Sequence, residues 1–136
     1  MKRNLILAAI SCLLIINTYA QRSISEVEQI LTASSEKEWI QDEVISIMYG
    51  DSCISGVSWV FREKNSQVIK KTCLRGTWHH ETLNWSIKKS GDFNWKISIN
   101  EKTLNLTIRQ LEDYDKIILR EDEGDVREET VLIHIK

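Results

Sequence analysis

The chain has 136 residues, five tryptophans, no proline and a formal charge of −2 at pH 7. That length suits one domain. The acidic balance argues against a general nucleic-acid binder, which should be basic, and no second apolar stretch is long enough to span a bilayer.

The chain opens MKRNLILAAISCLLIINTYAQ. Lys2 and Arg3 form a basic start, Leu5 to Ile16 an apolar run too short for a comfortable span, and Ala20 a small residue at its end. This layout predicts a secretory signal peptide over 1–20, cleaved after Ala20. Residues 21–136 would then be a single secreted or periplasmic domain with 16 basic and 20 acidic side chains, since the signal carries two basic residues and no acidic one. Ala9-Ile10-Ser11-Cys12 weakly resembles a lipoprotein cleavage box, but the apolar run continues well past Cys12, which argues against a lipid anchor there.

The segment SISEVEQILTAS, residues 23–34, predicts a short helix. Ile24, Val27, Ile30 and Leu31 share a face, and Ser23 with Glu26 or Ser25 with Glu28 can form a capping box. A helix this short needs something to pack on. Beyond it the period of the apolar residues falls to two. Trp39 to Met48 is the first expected strand, with alternation interrupted at Val44-Ile45.

Next comes an expected hairpin. Val57, Trp59 and Phe61 alternate, Glu63-Lys64-Asn65-Ser66 can turn, and Val68 to Thr72 returns. The hairpin bears on the two cysteines left after cleavage, Cys53 and Cys73. An even count in an exported chain favours a disulfide, and the turn lies midway between them, so they should meet at the hairpin's open end. Two buried free thiols are the alternative.

The stretch CLRGTWHHE, Cys73 to Glu81, groups a cysteine, two histidines and a glutamate. On a strand, adjacent residues point to opposite faces. His79 and His80 therefore cannot chelate one ion together, and no metal site is expected. Trp78 and His80 share one face, His79 and Glu81 the other, with His79 at the surface and His80 near the barrel mouth or core. Trp78 is even-numbered whereas Leu83, Trp85 and Ile87 are odd, so a bulge or turn is expected at Glu81-Thr82.

The strands LNWSIKK, FNWKISIN and TLNLTIRQ then alternate, with Phe93, Trp95, Ile97 and Ile99 on one face of the second. Such alternation marks strands with one dry and one wet face. DKIILRE and TVLIHI are the last two, joined by an acidic loop from Glu121 to Glu129 that lacks the ligand spacing of a calcium loop. Eight or nine short strands with short connections and no interleaved helices point to an all-β fold. Closing it as an antiparallel up-and-down barrel removes exposed edges.

Several of these pieces resemble the small exported bacterial lipocalin-like domains of the calycin type. They are the helix leading to Lys37-Glu38-Trp39-Ile40, Asp51-Ser52-Cys53, Trp59-Val60-Phe61, Cys73, Gly76-Thr77-Trp78 and Leu104-Asn105-Leu106-Thr107-Ile108. The resemblance runs from about Leu31 to Leu119. Here Trp39 lacks the glycine of the usual first-strand Gly-x-Trp, and the turn after Phe61 lacks an Asp-Gly pair. The resemblance implies a barrel; it brings no catalytic residue, no cofactor and no named ligand.

The tryptophans carry the functional expectation. Trp39, Trp59, Trp78, Trp85 and Trp95, with Phe93, are candidates for a ligand pocket or for the core. Barrel mouths are common ligand sites, yet an eight-stranded barrel can also be filled by its own side chains. So many indoles favour a mostly filled barrel with a shallow mouth. No nucleophile can be paired with a base, and no phosphate loop or nucleophile elbow is present. The expected function is a non-enzymatic binding module for a small hydrophobic molecule. The alternative is a protein-interaction module, such as an inhibitor of an exported enzyme.

Overall fold

The computed structural model describes residues 22–42, 48–49, 52–53, 56–91, 94–121 and 128–136. The helix α1 spans Ile24–Thr32. Of the two possible capping boxes the chain uses the first. Ser23 Oγ accepts from Glu26 N at 3.2 Å, and Ser23 N donates to Glu26 Oε2 at 2.5 Å. These bonds satisfy backbone donors that a helix start leaves orphaned. Ala33 ends the helix in the left-handed region, φ 52°, and its N–H donates to Gln29 O.

Among the described residues ten strands follow: β1 Glu36–Gln41, β2 Met48–Tyr49, β3 Ser52–Cys53, β4 Val57–Arg62, β5 Gln67–Leu74, β6 Thr77–Lys89, β7 Trp95–Ile99, β8 Lys102–Gln110, β9 Tyr114–Arg120 and β10 Glu129–Ile135. Eight form a closed antiparallel barrel in the order β1-β10-β9-β8-β7-β6-β5-β4, an up-and-down path, while β2 and β3 pair with each other. The expected all-β barrel with one helix is therefore the fold. The expected hairpin is present as β4 and β5, joined through a 3-10 turn at Lys64–Ser66.

Register explains which side chains reach the interior. Trp39 pairs with Trp59, Phe61 with Val68, Trp85 with Ile99, Trp95 with Leu106, Leu106 with Leu119 and Ile117 with Leu132. All of these join one buried core with Val27 and Leu31 of α1. The helix lies across the end of the barrel that holds Lys37. The opposite end is framed by the turns Arg75-Gly76 and Asn100-Glu101. Fully burying each large apolar side chain stabilises the fold by roughly 1.5–3 kcal/mol, and these positions recur at every second residue.

The structure corrects two expectations. The first strand does not run from Trp39 to Met48. It starts at Glu36 and stops at Gln41, Asp42 is in a turn, and Met48 belongs to β2; residues 43–47 lie outside the described residues. Strand β1 begins early because Lys37 points inward in phase with Trp39 and finds a carboxylate there.

The second correction concerns Glu81-Thr82, where no bulge or turn interrupts β6. Its register against β5 is unbroken from Gln67↔Asn84 to Leu74↔Thr77. The apparent change of phase arises because Trp78 is not a core residue. It is half-buried on the outer face opposite Cys73. His80 shares that outer face and is exposed rather than near the mouth or core, and His79 is exposed as well. The long β6 instead changes partner: 77–84 pair with β5 and 85–89 with β7.

Candidate functional site

The core brings Trp39, Trp59, Trp85 and Trp95 together and leaves Trp78 outside it. Phe93 lies outside the described residues. Trp39 is fully buried, Trp85 5 % exposed and Trp95 8 % exposed. Phe61 meets Trp85 edge-on at 5.7 Å, and Trp85 Nε1 donates to Arg62 O and Gln67 O, tying the β4–β5 turn to the core. The middle of the barrel is thus filled by its own side chains.

The end under the helix is closed by polar contacts as well as packing. Trp39 Nε1 donates to Leu31 O at 3.0 Å. The Lys37 ammonium lies 4.5 Å from the Trp39 ring centroid and donates to Ile30 O at 3.2 Å and to Asp115 Oδ2 at 2.7 Å. Lys136 lies 3.2 Å from Asp115 Oδ1. The Lys37 and Asp115 side chains are only 9 % and 5 % exposed. Burial pushes the Asp115 carboxyl up. The hydrogen bonds and charges of Lys37 and Lys136 outweigh it, so the group is held below its ordinary value.

The far end is a mouth. A cavity of about 320 Å³ opens there, lined by Trp59, Leu83, Ile99, Leu104, Leu119 and Thr130 with Lys70, Lys102, Glu121 and Glu128 among them. Its size is near the lower bound for small-molecule sites. Its floor is apolar because β4, β6, β7, β8 and β9 each present an inward residue at this level. Two hollows of about 560 and 480 Å³ are more open to solvent and lack such a floor. One surrounds the Asn100 turn. The other lies beside α1, where Arg22 is already bonded to Gln110.

Electrostatics distinguish the mouth's two lysines. Lys102 pairs with Glu121 at 2.5 Å, and the hydrogen bond its ammonium donates to that carboxylate raises the lysine's pKa. Lys70 lies 5.1 Å from the Trp59 ring centroid and has no ion-pair partner among the described residues. Trp59 is 9 % exposed, and its Nε1 is buried with no acceptor among the described residues. A buried donor without a partner costs roughly 1–3 kcal/mol.

Of the residues singled out in the sequence, only Trp59 lines this cavity. Lys70 and Lys102 were missed, and Glu121 was read only as part of the acidic loop. One signal was available for Lys70: it sits two residues after Val68, in the apolar phase of β5, where a charge needs a reason. Among the described residues no three of His, Cys, Asp and Glu group as metal ligands, and no helix is long and apolar enough to cross a membrane. Cys73 is 8 % exposed on β5, and β3, which carries Cys53, lies against β6. Comparison with protein-family models, with curated proteins and with solved structures finds no match, so the architecture rests on register and burial.

Proposed function

We propose that this chain is an exported, non-enzymatic binding module on a lipocalin-like barrel, and that it takes a small, largely apolar ligand at the mouth. The observation that carries the reading is the contrast between a filled barrel centre and the cavity of about 320 Å³ with an apolar floor beside Trp59. Ligand burial there would contribute about 25 cal/mol per Å² of apolar surface removed from water, less ordering costs.

Export through residues 1–20 and a Cys53–Cys73 bridge belong to the same proposal. The bridge is supported by the packing of β3 against β6, whose Trp78 is the register partner of Cys73. It would contribute about 3 kcal/mol by loop closure. Mass spectrometry of the exported protein should show a chain beginning at Gln21, two hydrogens lighter than its reduced form. Two free thiols would defeat the bridge.

The ligand reading is tested by thermal shift against a panel of small aliphatic and aromatic molecules. A ligand at a hundred times its Kd should stabilise the protein by about 2.7 kcal/mol. Absence of any shift across the panel would remove the pocket reading.

One observation favours the second reading, a protein-interaction module. Ile40 and Ile133 are register partners on the outer face of the barrel. Ile40 is 38 % exposed, and Ile135, in the same phase, is 72 % exposed. Recovery of one stoichiometric protein partner, lost on Ile40→Asp, would support that reading.

A further inference from the structure

Strand β6 is longer than either of its neighbours, and part of one edge of it is bare. We propose that this edge pairs with the same edge of a second copy of the chain, antiparallel and centred on His80. The inference is independent of the ligand reading at the mouth.

The backbone directions define the bare edge. Cys73 N donates to Gly56 O, so the odd residues of β5 turn their backbone groups to β4 and the even ones to β6. Facing those even residues are Thr77, His79, Glu81 and Leu83. Along an antiparallel ladder, residues turn their N–H and C=O alternately to one neighbour and the other. Trp78, His80 and Thr82 therefore present theirs away from β5. Further along, the same edge is taken. Asn84 N meets Asn100 Oδ1, Asn84 O accepts from Asn100 N, and Ser86 and Lys88 face Ser98 and Lys96 of β7. From Trp78 to Thr82 no backbone partner stands on that side among the described residues. Strand β3 packs against β6 but pairs only with β2.

Exposed edges are commonly blunted by lysine, proline or a bulge. The stretch Thr77-Trp78-His79-His80-Glu81-Thr82-Leu83 has no lysine and no proline, and its ladder with β5 is unbroken. His79, His80, Glu81 and Thr82 are all exposed.

Complementarity points to a second copy as the occupant. A two-fold axis at His80 sets Trp78 opposite Thr82 of the partner subunit, and each facing pair on this side exchanges both backbone bonds. Neighbouring residues point to the other face of the sheet. There His79 comes opposite the partner's Glu81, and Glu81 opposite the partner's His79, so an imidazole donor meets a carboxylate acceptor twice. A register shifted one way sets Glu81 against the partner's Leu83 instead. Shifted the other way, the pairing runs into the Arg75-Gly76 turn. Because the same patch serves both subunits, the contact closes as a dimer rather than growing into a filament.

The test is sedimentation of the exported chain at about 10 µM and about 1 mM, a range that brackets a small interface. A dimer that reverses on dilution should appear at the higher concentration. Amide exchange at His80 and Thr82 should slow there too. Thr82→Pro removes an edge N–H without touching a bond to β5, and it should abolish the dimer with the thermal midpoint retained. His79→Glu sets carboxylate against carboxylate and should weaken the dimer about tenfold. Adding Glu81→Lys to it should restore pairing, and this holds as a test even if the proline variant folds poorly.

A chain that stays monomeric at the higher concentration overturns the proposal. So does a dimer indifferent to Thr82→Pro, which must use another face. A dimer lost with Thr82→Pro but unmoved by His79→Glu overturns the register about His80.

Discussion

The two ends of the barrel share a device and use it differently. At each, a lysine lies over a tryptophan: Lys37 over Trp39 at the helix end, Lys70 over Trp59 at the mouth. The two tryptophans are register partners on β1 and β4. Under the helix most polar groups have an answer, and Asp115 Oδ1, which has no hydrogen bond, meets the Lys136 charge at 3.2 Å. Trp39 Nε1 reaches Leu31 O, and Lys37 reaches Ile30 O and Asp115. At the mouth neither Trp59 Nε1 nor Lys70 finds an acceptor among the described residues. A saturated end is a structural seal. The other end is built alike but left unsaturated, and the proposed ligand site lies there.

The largest expected effect tests the seal. Asp115→Ala leaves the Lys37 ammonium buried without its carboxylate, which should cost about 3–5 kcal/mol in urea unfolding. Lys70→Ala at the mouth should stay within about 0.5 kcal/mol of wild type, because no buried partner is stranded. Comparable losses at the two sites would erase the distinction between the ends.

The tryptophan pair sharpens the same contrast. Trp39→Phe orphans Leu31 O, adding about 1–3 kcal/mol to the lost ring volume. Trp59→Phe loses ring volume but no internal hydrogen bond, so it should be the milder of the two. Matched denaturation curves decide the order.

The seal also predicts an acid response. The Asp115 pKa is lower in the folded protein than in the unfolded chain. The unfolded state therefore binds the proton first as pH falls. The contribution of Asp115 is complete well above an ordinary aspartate value of about 4 and is lost as pH drops through the lower folded value. The difference in stability between wild type and Asp115→Asn should narrow steadily below about pH 4. A difference that stays constant down to pH 2 contradicts this.

Smaller effects come from the periphery of the sealed end. Ser23→Ala removes the capping box and should cost about 1 kcal/mol, seen as a lower thermal midpoint. On the outer wall, Lys71 pairs with Glu38 at 3.1 Å with both side chains substantially exposed. Lys71→Ala should cost about 0.2–1 kcal/mol, with the loss shrinking in high salt.

The barrel was legible in the chain because strands with one dry face write their period directly into the sequence. Trp85, Ile97 and Ile99 announced their inward phase, and Ser23 with Glu26 announced the start of the helix. Trp78 misled because a tryptophan in a strand suggests the core, while here it belongs to the outer wall opposite Cys73. The early start of β1 was hidden because Lys37 looks like a surface residue until Asp115, far along the chain, is placed beside it. The mouth was hidden for the same reason. Its lining comes from β4 to β10 and becomes a site only when the register of seven strands is known.

The ladder between β1 and β10 has a consequence for how the molecule comes together. It is short, with Ile40 opposite Ile133 and Gln41 opposite Leu132, and Asp42 N and the His134 ring add one bond each. Its partners stand at nearly opposite limits of the domain, so the ring cannot shut until the final strand returns to the first. Until then the chain is an open curl with two raw borders. Long-range closure of this kind is slow, in the millisecond-to-second range typical of all-β domains. An unpaired β1 is also the natural place for a second chain's last strand to enter, so crowded refolding should produce swapped dimers joined at that seam.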